Sequence, residues 1–246
     1  MTYVEGFIVA VPRANREAYL RQAADAFPLF EEFGIARHVE AWESDVPDGT
    51  VTDFRKAVQA KEDEAVVFSW CEYPSREARD AANAKIMEDP RMEAMAASMP
   101  FDGKRMIIGG FQSILDEGGG TGPYVDGFVL PVPEGNRQAY LELAQKAAGT
   151  FERHGALRLV EAWGDDVPDG QVTDFRRAVQ AKDGEHVVFS WVEWPGKAER
   201  DEAWGKIMAD PDMQPDHDNP PFDGKRMFWG GFEIILDKTA KAKEPE

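Results

Sequence analysis

From Tyr3 to Val11 the chain alternates in hydrophobicity and is rich in β-forming residues, and Pro12 ends the run, which predicts a first strand. Apolar side chains then recur at Ala18, Tyr19, Ala23, Ala26, Phe30 and Phe33. That spacing is one face of a helix running from about Asn15 to Phe33, with Gly34 as its stop. Pro28 is expected to kink or shorten it. Arg37 to Glu43 reads as a second strand, followed by the turn cluster DVPDG. Phe54 to Ala60 and Ala65 to Tyr73 read as two more strands joined by the polar KEDE turn. Ser75 is placed to cap a second helix that ends at Asp89-Pro90. Met106 to Leu115 is the last strand, and Gly109-Gly110 within it suggests a bulge or a close backbone approach.

The whole pattern occurs twice. Tyr3 falls over Tyr124 and Asp116 over Asp237 without an insertion, an offset of 121, and more than half of the aligned positions are identical. The organisation expected is a first domain over 1–116, a glycine-rich linker over 117–123, a second domain over 124–237 and a charged tail over 238–246. Each repeat has the order β-α-β-β-β-α-β, a ferredoxin-like sheet with an inserted strand and its helices on one face. A sheet of this kind leaves its other face bare. The fold class expected is therefore α+β, with two ferredoxin-like units pairing as a dimeric α+β barrel inside one chain.

Several segments carry a family resemblance. The runs YVDGFVLPVP (124–133), GDDVPDG (164–170), VVFSWVEWP (187–195), KIMADP (206–211), PFDGKRM (221–227) and GGFE (230–233) resemble the YbaA-like proteins, a domain-of-unknown-function family. Both repeats carry the likeness. It implies a dimeric α+β barrel, normally built from two chains and here fused into one, and it brings no assigned reaction and no site residues.

Composition narrows the partners. With 43% hydrophobic and 30% charged residues the 246-residue chain has the makings of an ordinary globular core. A formal charge of −18 repels phosphate backbones and acidic lipid surfaces, so neither nucleic acid nor membrane is an expected partner. No apolar run is long enough to span a bilayer and the N-terminus lacks a basic leader, so a cytoplasmic location is the default expectation. The single cysteine, Cys71, has Val192 as its counterpart and reads as a small buried residue. HxH, HExxH and CxxC spacings are missing, as is a nucleotide-binding glycine signature, so no metal site and no cofactor is expected. A pseudo-dimer within one chain is expected to be monomeric or weakly self-associating.

Period-2 arithmetic divides each strand into two faces. Val4, Gly6 and Ile8, Val39 and Ala41, and Val67, Ser69 and Cys71 form small apolar faces suited to helices. The opposite positions are Tyr3, Glu5 and Phe7, then His38, Glu40 and Trp42, then Phe68, Trp70 and Glu72, all expected to line the barrel interior. The second repeat supplies Tyr124, Asp126, Phe128, Leu159, Glu161, Trp163, Phe189, Trp191 and Glu193. Aromatic walls holding a few carboxylates describe a ligand pocket, in which Glu40, Glu161, Glu72, Glu193 or His38 would serve as acid or base. Glu5, Asp126, Phe7, Phe128, Trp42, Trp163, Trp70, Trp191, Arg55 and Arg176 would bind the ligand, the two arginines being also in reach of the carboxylates. His38 lacks a histidine counterpart, and Asn83 becomes Trp204, so a site confined to one half is anticipated.

Two functions follow. One is a small-molecule-binding barrel or cofactor-independent enzyme performing proton abstraction, an idea that rests on fold analogy. The other is a noncatalytic barrel used for association or regulation, in which the carboxylates are hydrated or ion-paired.

Overall fold

The structure is a computed structural model, and it describes residues 2–213 and 220–241. The loop expected at 214–220 falls, except for Pro220, outside the described residues, as do His217 and the end of the charged tail. The first half comprises β1 (Tyr3–Pro12), α1 (Arg16–Phe33), β2 (Arg37–Asp45), α2 (Phe54–Ala57), β3 (Glu64–Tyr73), α3 (Arg76–Glu88), α4 (Pro90–Ala97) and β4 (Ile107–Gly118). The second half repeats it with β5 (Tyr124–Pro133), α5 (Arg137–Arg153), β6 (Arg158–Asp166), α6 (Phe175–Ala178), β7 (Glu185–Trp194), α7 (Lys197–Ile207) and β8 (Phe228–Thr239).

The eight strands close into one antiparallel barrel in the order β1-β3-β2-β8-β5-β7-β6-β4. Closure comes from exchange: the last strand of each half pairs with the second strand of the other, β4 with β6 and β8 with β2. This consumes the sheet edges each half would otherwise expose. β4 runs on to Gly118, so the first residues of the glycine-rich segment are already paired with β6.

Two local expectations are corrected. Residues 54–60 are not a strand. Asp53 accepts a hydrogen bond from the Lys56 amide and caps the short helix α2, and Phe54, Ala57 and Val58 are buried at helical rather than alternating spacing. Each half is therefore β-α-β-β-α-β apart from its short helices. Pro28 does not break α1, which continues to Phe33, held by the burial of Phe27 and Leu29 on either side. It then stops at Gly34, whose φ of 105° lets its amide reach back to Glu31 and Phe30. The Gly109-Gly110 pair behaves as a close approach: Gly110 leaves room for the Tyr3 hydroxyl, and the β4–β6 register shifts beside it.

The larger correction concerns which face points inward. β1 and β3 pair with Gly6 opposite Trp70 and Glu5 opposite Cys71, and β2 and β3 pair with Val39 opposite Trp70 and Glu40 opposite Ser69. Directly paired residues share a face. The interior therefore takes Val4, Gly6, Ile8, Val39 and Ala41 together with Phe68, Trp70 and Glu72, while Tyr3, Glu5, Phe7, His38, Glu40 and Trp42 lie beneath the helices. In the second half Asp126, Phe128, Leu159, Glu161 and Trp163 are likewise on the helix side, and Phe189, Trp191 and Glu193 point inward. Small residues on β1 and β2 make room for large ones on β3.

The interior is packed rather than hollow. Phe68 and Phe189 stack with centroids 4.5 Å apart, and Trp70 and Trp191 approach to 4.5 Å. The packing is reciprocal. A Cβ on Gly6 would sit 2.9 Å from the Phe189 ring, and one on Gly127 would sit 3.0 Å from Phe68. One end is sealed by α2 and α6, where the Thr52 hydroxyl donates to the Ala178 carbonyl at 2.6 Å and Thr173 to Ala57 at 2.7 Å.

Candidate functional site

The sealed barrel accounts for several candidate residues. Glu72 and Glu193 sit near its second end, where Trp70 and Trp191 donate their indole N–H to them. Arg37 donates two hydrogen bonds to Glu193 at 2.7 and 2.9 Å, and Arg158 donates two to Glu72 at 2.8 and 2.9 Å. Each arginine thus neutralises the carboxylate of the opposite half, and Asp237 and Asp116 complete the two forks. Glu72, Glu193, Trp70 and Trp191 form a structural closure between halves rather than pocket walls.

Glu5 and Asp126 are also occupied. Arg79 of α3 binds Glu5 at 3.1 Å with help from Asn83 at 2.7 Å, while Arg200 of α7 binds Asp126, which also accepts from the indoles of Trp194 and Trp204. Burial still pushes both carboxyls above their ordinary values, against the pull of these partners. The same arginines cross to the other half, Arg79 to Asp166 and Arg200 to Asp45. Arg55 and Arg176 do not meet the candidate carboxylates. Arg55 binds Glu43 and the carbonyls of Lys61 and Glu64, and Arg176 donates to the Glu185 carbonyl. The arginines that matter are Arg37, Arg79, Arg158 and Arg200. Their positions become legible only once strand register and helix docking are known.

What remains gathers on the outer face of the first half. A cavity of about 220 Å³ lies between β1, β2, β3 and the helices α1 and α4. Its walls include Phe7, Phe30, Phe101, Met92, Met95 and Met99, with His38 and Glu40 on the sheet and Tyr19 on α1. Tyr19 donates to one Glu40 oxygen at 2.6 Å, and His38 Nε2 lies 2.8 Å from the other. A carboxylate only accepts, so in the neutral ring the proton sits on Nε2 and Nδ1 presents a bare lone pair. That Nδ1 is buried and has no hydrogen-bond partner. The ring is gripped by Phe27, stacked at 6.5 Å, and Phe30, edge-on at 5.6 Å. Burial and the neighbouring Glu40 carboxylate push the Tyr19 phenol upward, and burial also raises the Cys71 thiol, so both stay protonated.

A second buried atom without a partner belongs to another residue that lines the same cavity. Gln22 donates its amide N–H to the Met95 carbonyl at 2.8 Å, which leaves its Oε1 unpartnered. Sequence reasoning passed over Gln22, Tyr19 and the methionines. A usable signal was present in the internal alignment: Gln22 and His38 are both replaced by leucine, Leu143 and Leu159, within a repeated framework. Trp42 lies beside Tyr19 at 6.4 Å and beneath Arg16, as packing.

The second half keeps the carboxylate but changes its setting. Glu161 accepts from Tyr140 at 2.5 Å, and burial pushes it up to about 7 despite that bond and another from Ser190. Trp163 packs under Arg137 and beside His186. Trp204 lies 6.5 Å from Phe128 and 5.5 Å from Phe151, the counterparts of the cavity residues Phe7 and Phe30. Among the described residues no three His, Cys, Asp or Glu side chains gather as metal ligands, and no helix is long and apolar enough to cross a membrane.

The fold defines the class: a dimeric α+β barrel whose two units are joined in one chain. Solved structures of this architecture align over nearly the whole length. An anthrone oxidase-like protein superposes with a TM-score of 0.56 over 99% of this chain and 94% of its own, at 10% identity. A protein of Lactobacillus acidophilus NCFM, provisionally named a monooxygenase, does so with a TM-score of 0.58 over 97% of this chain and 96% of its own, also at 10% identity. The chain belongs to the DUF1428 family, described as protein of unknown function, whose model matches residues 2–103 and again 123–224. Among its relatives, "Uncharacterized protein YbaA" of Escherichia coli (strain K12) and that of Shigella flexneri are each 67% identical over 117 residues, which is 48% of this chain and all of theirs. Those relatives are one repeat long.

Proposed function

We propose that the first half holds a binding site for a small neutral organic molecule, and that His38, oriented by Glu40, transfers a proton on it. The supporting observation is the pairing of His38 Nε2 with Glu40 in the wall of an apolar cavity, with Nδ1 buried and unpartnered. A buried polar atom without a partner costs about 1–3 kcal/mol. A ligand donor that displaced the side chains over Nδ1 would recover that cost.

The chemistry is that of an oriented base. Nδ1 takes a proton from an acidified C–H or O–H, and the electron pair of that bond stays on the substrate. Glu40 stabilises the imidazolium so formed. Return of the proton to another atom of the substrate completes an isomerisation without a co-reactant. Phe27 and Phe30 hold the ring in place.

Thermal-shift screening with small neutral organic compounds tests the site. Compounds that raise the melting temperature of the wild type should lose their effect in Ala23→Leu, which fills the cavity. Equal shifts in both proteins, or none in either, refute the site. For proton transfer, bound ligands are followed by NMR in D2O: deuterium should enter the ligand with wild type and not with His38→Leu. A ligand that binds and never exchanges refutes the role of His38.

A further inference from the structure

The cavity also sets the class of its occupant, an inference that rests on the binding site proposed above and not on proton transfer by His38. We infer that the site takes an uncharged, hydrocarbon-like compound of the size of an alkylbenzene, and that it selects by polarity rather than by shape.

The polar groups in the wall are turned on one another. Tyr19 donates to one oxygen of Glu40, His38 Nε2 engages the other, and the Gln22 amide N–H is spent on the Met95 carbonyl. Ser69 and Cys71 are buried, and His38 Nδ1 and Gln22 Oε1 are covered, so neither is open to the space. What does face it is overwhelmingly apolar: three phenylalanines, four methionines, Val9 and the alanines of α1. A hydroxyl or amide entering the cavity gives up water and meets no open partner.

Charged ligands are excluded as well. Among the described residues lining the cavity none is Lys or Arg, so a buried anion would lie near Glu40 without a counterion. A cation would find both Glu40 oxygens already engaged by Tyr19 and His38.

Volume and wall set the rest. An apolar cavity of roughly 150 Å³ accommodates benzene, so about 220 Å³ takes a benzene-sized ring with a short alkyl chain. Four of the chain's nine methionines, Met92, Met95, Met99 and Met106, line this one cavity. Methionine is unbranched and polarisable, and it refits around apolar partners of different shape. Two of the four lie on α4, a helix with no buried side chain, so little packing opposes their adjustment. The second half has Asp216 and Pro220 where this half has Met95 and Met99, so the full methionine set is confined to one half.

Four probes of similar size test this by calorimetry and thermal shift: propylbenzene, propylcyclohexane, 2-phenylethanol and 2-phenylethylammonium. Propylbenzene differs from the alcohol and the ammonium only in its terminal group. It should bind tighter than 2-phenylethanol by more than the factor separating the two in water-to-octanol partition, because octanol offers the hydroxyl a partner and the cavity does not. The ammonium should bind at least about tenfold more weakly than propylbenzene. Propylcyclohexane should bind within about tenfold of propylbenzene, as an adaptable wall requires. A smaller gap to the alcohol, an ammonium less than about tenfold weaker, or hydrocarbons more than about tenfold apart overturns the inference and leaves the site standing. Failure of all four probes while other compounds pass the Ala23→Leu criterion likewise overturns only the ligand class. Ala26→Leu fills the same cavity from one turn further along α1 and repeats that criterion. If nothing passes it in either variant, both readings fall.

Discussion

The two halves are nearly interchangeable inside the barrel and differ beneath their helices. Inside, the main features are paired across the pseudo-twofold: Arg37 with Arg158, Glu72 with Glu193, Trp70 with Trp191, and Gly6 and Gly127 each receiving a phenylalanine of the other half. A change on one side must be answered by the other, because the core is packed at crystal-like density. The outer faces answer mainly to their own helices, with cross-half contacts such as Arg79–Asp166 and Arg200–Asp45 at their rims. There Gln22, His38, Cys71 and Asn83 stand against Leu143, Leu159, Val192 and Trp204, and the 220 Å³ cavity is lined entirely by the first half. The halves differ most where they are coupled least.

The strongest way to break this comparison is at the shared closure. Arg37→Met leaves Glu193 buried without its main counterion, and Arg158→Met does the same to Glu72. Each should cost about 3–5 kcal/mol in urea unfolding. Equal losses support a symmetric closure; a loss confined to one variant would show that one half dominates it.

The next effect separates the halves by pH. The folded chain holds a proton on Glu161 up to about pH 7, whereas a free glutamate releases it near 4.5. The associated stability is complete below about 4.5 and is lost as the pH rises through 7, on the order of 3 kcal/mol. Glu161→Gln should flatten this decline and raise stability at pH 8. A wild-type stability that does not fall between pH 5 and 8, or an unchanged slope in the variant, contradicts it.

Smaller still are the interior glycines. Gly6→Ala and Gly127→Ala press a methyl against Phe189 and Phe68, and each should lower stability by about 1–3 kcal/mol. If only one variant responds, the two ring contacts are not equivalent. The smallest effect lies at a helix start where the halves differ. Ser75 caps α3 by accepting from the Ala78 amide, while Gly196 gives α7 no side-chain cap. Ser75→Ala should cost about 1 kcal/mol, and Gly196→Ser, at an extended φ that any residue adopts, should gain a few tenths. Melting curves of the pair would detect a reversal.

Much of the fold was legible along the chain because its signals are local or repeated. The 121-residue offset, the period of α1, the Gly34 stop and the Ser75 cap need no distant partner. The misread segment, 54–60, is short, and its three buried positions fit helical spacing better than alternation. The site was legible only in part. His38 and Glu40 stand out as polar positions in a strand, but alternation alone does not place them beneath α1, and Gln22 is a single polar residue on a helix defined by its apolar stripe.

Sequence alone determined that the chain is two copies of one α+β unit, that each strand has two distinct faces, and that two bare sheets would close on each other. Alternation cannot say which face turns inward, since sliding a strand by one residue against its neighbour exchanges the faces. Tertiary structure decided that. Placing Gly6 and Val39 beside Trp70 filled the barrel with aromatics and turned Glu40 and His38 toward α1. The helices then covered them without quite filling the space above, leaving a cavity walled in part by His38 and Gln22, whose Nδ1 and Oε1 are buried without partners.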